Sequence, residues 1–237
     1  GTADIGAHLH PWVTPPHEEQ VCAANSYAGS LPEALERAKL TGLRDLLSES
    51  FGRAPVAYRA GRYGIGPNTG QILSDLGFLV DTSVRSRFDY SAQHGPDFTH
   101  MPLHPYRAGP NNGLIELPLS TAYVGHLAGA GNGLYPRVSR HGRVTGGLAR
   151  LGLLERVPLT PEGVPLRDAI RAIDALLDEQ LKLLMFSFHS PTLEPGNTPY
   201  VRNQGDLDGF YRWWDGVLNH LAKRTVLPAS IDQIIAG

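Results

Sequence analysis

Four side chains in this sequence combine chemical capability with a suggestive placement: His8, His10, Arg59 and His189. His8 and His10 lie in Asp4-Ile5-Gly6-Ala7-His8-Leu9-His10-Pro11-Trp12, which reads as a short strand. Alternate strand residues share a face, so the two imidazoles sit roughly 6.5 Å apart along the backbone. At that spacing both rings can tilt onto one ion at about 2.0–2.1 Å from each nitrogen. Alternatively, one histidine packs while the other meets solvent or a nearby carboxylate. Asp4 has the same parity but would lie about 13 Å from His8, too far for a third ligand. Arg59 closes the strand candidate Val56-Ala57-Tyr58-Arg59, and His189 follows the apolar run Leu183-Leu184-Met185-Phe186-Ser187-Phe188. The carboxyl ends of parallel strands are where open sheets and barrels place their chemistry.

The elements that must position these groups follow a strand, loop, helix, strand rhythm. Ser30 as cap with Glu33 at the third position starts a helix whose apolar residues Leu31, Leu35, Ala38, Leu43, Leu46 and Leu47 run to about residue 50. Gly42 within it weakens the case for one unbroken helix. Asn68 caps a short helix over 69–76, and residues 78–80 form a strand. Residues 84–112 have no clear period, a length of loop that is uncommon unless it covers a site. Residues 114–117 read as a strand, 120–143 again as loop with several glycines and short helices, and 148–154 as helical. The clearest crossover helix is 166–181, with Leu166, Ile170, Ile173, Leu177 and Leu181 in one stripe. The apolar run at 183–188 then predicts a parallel strand covered on both faces. A last helix at 206–223 turns Leu207, Phe210, Tyr211, Trp214, Val217, Leu218 and Leu221 to one side. Short connections of this kind predict βα repeats and a largely parallel sheet or barrel.

Bulk properties narrow the function. The 237 residues suit one large α/β domain, with two small domains as the alternative. A formal net charge of -2 argues against nucleic acid as a partner. Cys22 is the single cysteine, which rules out an intrachain disulfide and a multi-cysteine metal site. No run of about 18 apolar residues is present, so no integral membrane segment is expected. The lone cysteine and the absence of a leader-like start favour the cytoplasm. The glycines from Gly61 to Gly66 lack the dinucleotide and Walker patterns and instead fit a tight loop around Arg59.

Three stretches carry a family resemblance: Asp4 through Trp12, Tyr58-Arg59-Ala60-Gly61-Arg62-Tyr63-Gly64, and Ser187-Phe188-His189-Ser190-Pro191. They resemble the polysaccharide deacetylase family, also called NodB-homology or carbohydrate esterase 4-like. Leu73-Ser74-Asp75-Leu76-Gly77-Phe78 followed by Asp81-Thr82-Ser83 is similar to the helix and strand after the family's arginine motif. The likeness runs in order through nearly the whole chain, and is nearest a divergent branch with large loops.

That resemblance implies a single catalytic domain over 1–237, an α/β fold built as a distorted seven-stranded, TIM-like (β/α) barrel. It also implies a divalent metal ion, zinc foremost, and an acetylated carbohydrate or related small molecule as substrate. His8 matches the first histidine ligand. The family's second ligand lies four residues further on, where this chain has Trp12, and His10 is the candidate replacement. Arg59 matches the arginine that orients the catalytic base, Gly61 stands where the family commonly has proline, and His189 matches the general acid. Trp12 and Tyr63 are candidate substrate contacts, Trp12 by stacking on a sugar face or, alternatively, as a wedge for its loop. The family's aspartate pair precedes the histidine motif, yet only Gly1, Thr2 and Ala3 precede Asp4. Upstream sequence is therefore expected to supply that strand, with Asp89, Asp97 and Asp206 as other available carboxylates. The implied function is metal-dependent removal of acetyl groups from a carbohydrate. The alternatives are hydrolysis of another linear or cyclic amide, or a catalytically inactive carbohydrate-binding domain.

Overall fold

A strand with one covered face must alternate, and strand β1, Ala7–Leu9, does: Ala7 and Leu9 are buried while His8 is exposed. The structure is a computed structural model that describes residues 3–236. It divides into two compact units, one of residues 119–229 and one formed by the chain on either side.

In the first unit, helix α1 (Glu33–Phe51) carries the chain from β1 to strand β2 (Ala57–Ala60), and helix α2 (Thr69–Asp75) leads on to strand β3 (Val80–Asp81). Strands β4 (Tyr106–Ala108) and β5 (Leu114–Glu116) complete a five-stranded sheet in the order β1-β2-β3-β5-β4. All its pairs are parallel except β4 with β5. Ala7, Leu9, Tyr58 and Ala60 form a core with Leu40 of α1 and Ile72 and Leu73 of α2. That packing fixes the register, His8 opposite Arg59 and Tyr58 opposite Asp81. A slip of one residue would turn the core set to the other face.

Helix α1 departs from its expected start. Ser30 lies in a short turn, Ala28–Ser30, and the helix begins after Pro32 with no side-chain cap. Gly42 does not interrupt it. The 19-residue helix runs through and ends at Gly52 in the left-handed conformation, whose N–H donates to Ser48 O. Burial of Leu35 and Leu40 outweighs the weak helix propensity of one glycine. The stretch 84–112 holds more order than a loop, with β4 and an isolated bridge between Asp89 and Asp97.

In the second unit, strands β6 (Thr121–Val124) and β7 (Glu155–Pro158) pair antiparallel, with helices α3 (Gly131–Val138) and α4 (Gly142–Arg150) between them. Residues 120–143 thus hold a strand in addition to the expected short helices. Helix α5 (Leu166–Asp178) buries Ala169, Ala172, Ile173 and Leu176, a stripe rotated from the expected one. The helix α6 (Gln204–Lys223) starts at Asn203, whose side chain accepts from Asp206 N at 3.0 Å. Its buried face is Leu207, Phe210, Trp213 and Val217; Tyr211 and Leu218 are exposed. Trp213 also donates Nε1–H to Val164 O at 2.9 Å, which an indole at position 214 does not.

The run 183–188 is extended but forms no strand ladder. Met185 O accepts from Ser120 N, Met185 N donates to Ser120 Oγ, and Ser187 N donates to Leu159 O. Its apolar character serves the aromatic face of α6, with Phe186 against Trp213 and Trp214, and Phe188 against Phe210 and Trp214. The expected burial on both faces is absent: Phe188 is exposed. Seven strands occur among the described residues, five in one open sheet and two in a separate pair, and neither sheet closes. A short helix, Ile231–Ala236, ends the described chain.

Gly42 is exposed and nothing lies within 4 Å of where its Cβ would be. Gly42→Ala should therefore stabilise the protein by about 0.5–1 kcal/mol in urea denaturation; a loss of stability would show that α1 needs the glycine.

Candidate active site

Strand alternation puts His8 and His10 on the exposed side of β1, and the hydrogen bonds specify how the rings stand. His8 Nδ1 lies 2.8 Å from Arg59 O on the neighbouring strand. A carbonyl only accepts, so His8 Nδ1 carries the proton, and neutral His8 keeps a lone pair on Nε2. His10 Nε2 is 3.1 Å from that His8 Nε2, with the rings edge to face at 4.7 Å between centroids. Two tetrahedral ligands at about 2.0–2.1 Å from one ion are themselves about 3.3 Å apart. With His8 Nδ1 protonated, His10 Nε2–H donates to His8 Nε2, and the 3.1 Å between the two nitrogens is close to the spacing of two ligands of one ion; a backbone carbonyl behind the first imidazole is the usual support of a metal-binding histidine. Among the described residues no third His, Cys, Asp or Glu joins them in a group able to hold an ion. The pair therefore fits two positions of a metal site, and the described residues do not complete it.

Gly61 explains why His10 fits. A Cβ there would lie 2.5 Å from Leu9 O and 2.6 Å from His10 Nδ1, so no residue with a side chain is accommodated without moving the ring. A proline at this position would take the space that the imidazole fills. The turn continues through Arg62 and Tyr63, both at positive φ, 55° and 61°. Non-glycine residues adopt that conformation at a cost, and two in succession are held by their contacts. Arg62 lies over the Tyr27 ring and donates to Tyr27 Oη at 3.0 Å. Tyr63 stacks on Tyr90 at 5.8 Å and takes the Arg85 guanidinium over its face at 5.1 Å.

Trp12, 42% exposed, sits in a one-turn helix, Pro11–Val13, just after His10. The loop that carries it is pinned from below by Lys39 of α1, which is fully buried. Lys39 Nζ donates to Pro11 O at 3.0 Å, to Thr14 O at 2.6 Å and to Pro16 O at 2.6 Å, and meets Glu19 Oε2 at 3.0 Å. A buried ammonium is tolerated only with such partners. Sequence periodicity offered no hint of it, because a lysine on a helix normally reads as solvated.

Arg59 is half-buried and donates Nε–H to Thr82 Oγ1 at 2.9 Å. Burial pulls its pKa down, while the nearby Tyr63, Asp81 and Glu116 push it back up. Asp81 and Glu116 are register partners on β3 and β5, both buried and hydrogen bonded to each other. Asp81 Oδ1 accepts from Ser83 N and Ser83 Oγ, and Glu116 Oε1 accepts from Val84 N at 3.0 Å. Burial raises Asp81 from 3.8 to about 6, and burial with the Asp81 charge raises Glu116 well above its usual value. The pair therefore holds a proton between them at neutral pH. Strand spacing puts β3 and β5 about 10 and 14 Å from β1, so these acids do not supply the missing ligand. The sequence gives neither of them a role, although a charged residue inside a short apolar strand is a usable signal.

The other available carboxylates have structural partners. Asp89 Oδ1 accepts from Ser91 N, Asp97 Oδ1 from Thr99 N, and Asp206 pairs with Arg202 at 3.0 Å.

His189 belongs to the second unit. Its Nδ1 meets Glu162 Oε2 at 2.7 Å, and its backbone N–H donates to Glu162 Oε1 at 2.9 Å. Thr192 Oγ1 donates to the same carboxylate at 2.5 Å. The Glu162 side chain is 6% exposed and that of His189 67%, so a buried acid fixes the tautomer of a ring whose Nε2 is turned outward. Glu162 was invisible in the sequence, since its pairing spans 27 positions.

No known family matches the chain, and no curated protein matches it. Among solved structures it is similar to one from Mycobacterium smegmatis described as a "putative polysaccharide deacetylase". The identity is 31%, the TM-score 0.29, and the match covers 38% of this chain. The chain spans 26% of that protein's length.

The acid pair has a signature in stability. Asp81 is raised in the folded state, so its contribution is present in full below about pH 4 and is lost as pH rises through about 6. Asp81→Asn, which keeps an acceptor for Ser83, should flatten that limb and raise stability at neutral pH by on the order of 2 kcal/mol. Denaturation curves across that range check it; parallel slopes for the two proteins would contradict a shared proton.

Proposed function

We propose that this chain is part of a hydrolase of the polysaccharide deacetylase type, removing acetyl groups from an N- or O-acetylated carbohydrate with the help of a divalent ion. The observation that supports the reading is the closeness of His8 Nε2 and His10 Nε2, 3.1 Å apart and hydrogen bonded, with His8 anchored on Arg59 O. The motif stretches around His8, Arg59 and His189 add the family resemblance, with the barrel it implies. An ion bound by the two imidazoles, zinc foremost, would polarise the acyl carbonyl and lower the pKa of a water toward about 7.

The remaining work falls to the chain's own residues. The family resemblance gives His189 the role of proton donor to the leaving nitrogen or sugar oxygen, and in its own unit its Nδ1 meets Glu162 Oε2 at 2.7 Å. An amide nitrogen needs that proton most, because it leaves poorly as an anion. Arg59, held by Thr82, keeps a positive charge beside the histidine pair that can orient a carboxylate base. Asp81 and Glu116 are buried and bonded to each other, so neither is the base that takes the proton from water. Trp12, exposed just after His10, is the candidate to stack on a sugar face, whereas the Tyr63 ring is stacked on Tyr90 and has Arg85 over it, so it would contact a sugar by its edge or hydroxyl.

The incomplete ligand set favours a second reading, a glycan-binding domain without turnover. Acetate release from an N-acetylated glycan in the presence of zinc separates the two. In the hydrolase, His189→Ala should lower kcat about 10²–10⁴-fold with little change in KM, and Glu162→Gln should lower it less. Unchanged kcat in His189→Ala would remove it from the acid role, and glycan binding without acetate release would favour the second reading.

A further inference from the structure

Between Glu116 and Glu155 the chain carries no acidic residue and four arginines, Arg137, Arg140, Arg143 and Arg150, in a protein whose formal net charge is -2. All four are exposed, on or beside α3 and α4. None pairs with a carboxylate among the described residues, whereas Arg37, Arg171, Arg202 and Arg224 do. Arg137 donates only to Gly133 O of its own helix.

Helix α4 also shows apolar side chains at helical spacing, Val144, Leu148 and Leu151 at its end. Val144 is 46% and Leu151 72% exposed. The helix contains no buried residue. Its glycines Gly142, Gly146 and Gly147 have nothing within 4 Å of a Cβ position, so no close approach requires them. A nine-residue helix with three glycines and no buried face is marginal by itself, and its apolar stripe calls for a partner.

We propose that the α3–α4 segment is a peripheral docking surface for an anionic lipid bilayer, with Val144 and Leu151 entering the interface and the four arginines meeting lipid phosphates. Charge complementarity alone would also suit a nucleic acid or a sulfated glycan. The exposed Val144 and Leu151 between arginines decide against those, because only an apolar phase rewards their burial.

The test is co-sedimentation of the protein with vesicles of phosphatidylcholine alone and with one third phosphatidylglycerol. Binding is expected to the anionic vesicles at roughly 0.1 M salt, to weaken about tenfold or more on neutral vesicles, and to fall at about 1 M salt, where the screening length drops to about 3 Å. Arg140→Glu/Arg143→Glu should weaken it about tenfold or more, and Val144→Asp/Leu151→Asp should do so with all arginines kept. These are exposed positions, and unchanged circular dichroism would confirm that both variants fold. Failure to bind anionic vesicles, equal binding to neutral ones, or binding indifferent to either double variant would overturn the proposal. Heparin binding that survives Val144→Asp/Leu151→Asp while vesicle binding is absent would assign the surface to a polyanion instead.

Discussion

The hydrogen bond from His8 Nδ1–H to Arg59 O joins the two strands on which the candidate site is built. It exists only in one register, with Ala7 opposite Tyr58 and Leu9 opposite Ala60 in the core. That register gives His8 its tautomer and turns its Nε2 toward His10. It also brings Gly61 beneath the His10 ring, where any Cβ would collide. The strained turn at Arg62 and Tyr63 follows directly, held by Tyr27, Tyr90 and Arg85. Hydrophobic packing on one face of two short strands thus decides the geometry of the polar groups on the other.

Beneath and beside this surface lies an unusual amount of buried polarity. Lys39 gathers three carbonyls and Glu19, tying the loop of Trp12 to α1. Glu36 accepts from Thr69 Oγ1 at 2.5 Å, and burial raises it to about 7. Thr69 Oγ1 in turn accepts from Gly66 N, so the glycine loop after Arg59 is moored to α1 as well. The acid pair Asp81 and Glu116 anchors the chain that leaves β3 through Ser83 and Val84. Each of these contacts holds a loop at the carboxyl end of the sheet, which is where the histidines stand.

Where one local pattern decides the structure, the sequence was readable. β1, β2, α2 and β5 lie close to their expected places because each is a short apolar run or alternation bounded by glycine or proline, and α5 does too, though its buried stripe is rotated. The parallel pairing of β1, β2, β3 and β5 followed from the same rhythm. Reading failed where the deciding partner is distant. Residues 183–188 have the composition of a buried strand, but their apolar side chains answer to Trp213 and Trp214 rather than to flanking strands. Glu162 and Lys39 act through contacts more than 20 positions away. The basic α3–α4 segment was masked by averaging charge over the whole chain.

The proposal that His8 and His10 take one ion between them is most directly tested by nitrogen-detected NMR of histidine-labelled protein during zinc addition. Before zinc, His8 should show the Nδ1–H tautomer set by Arg59 O, and with zinc in excess the Nε2 signals of His8 and His10 should shift together. A His8 protonated on Nε2 instead, or zinc that moves only one of the two rings, would contradict a shared cation site.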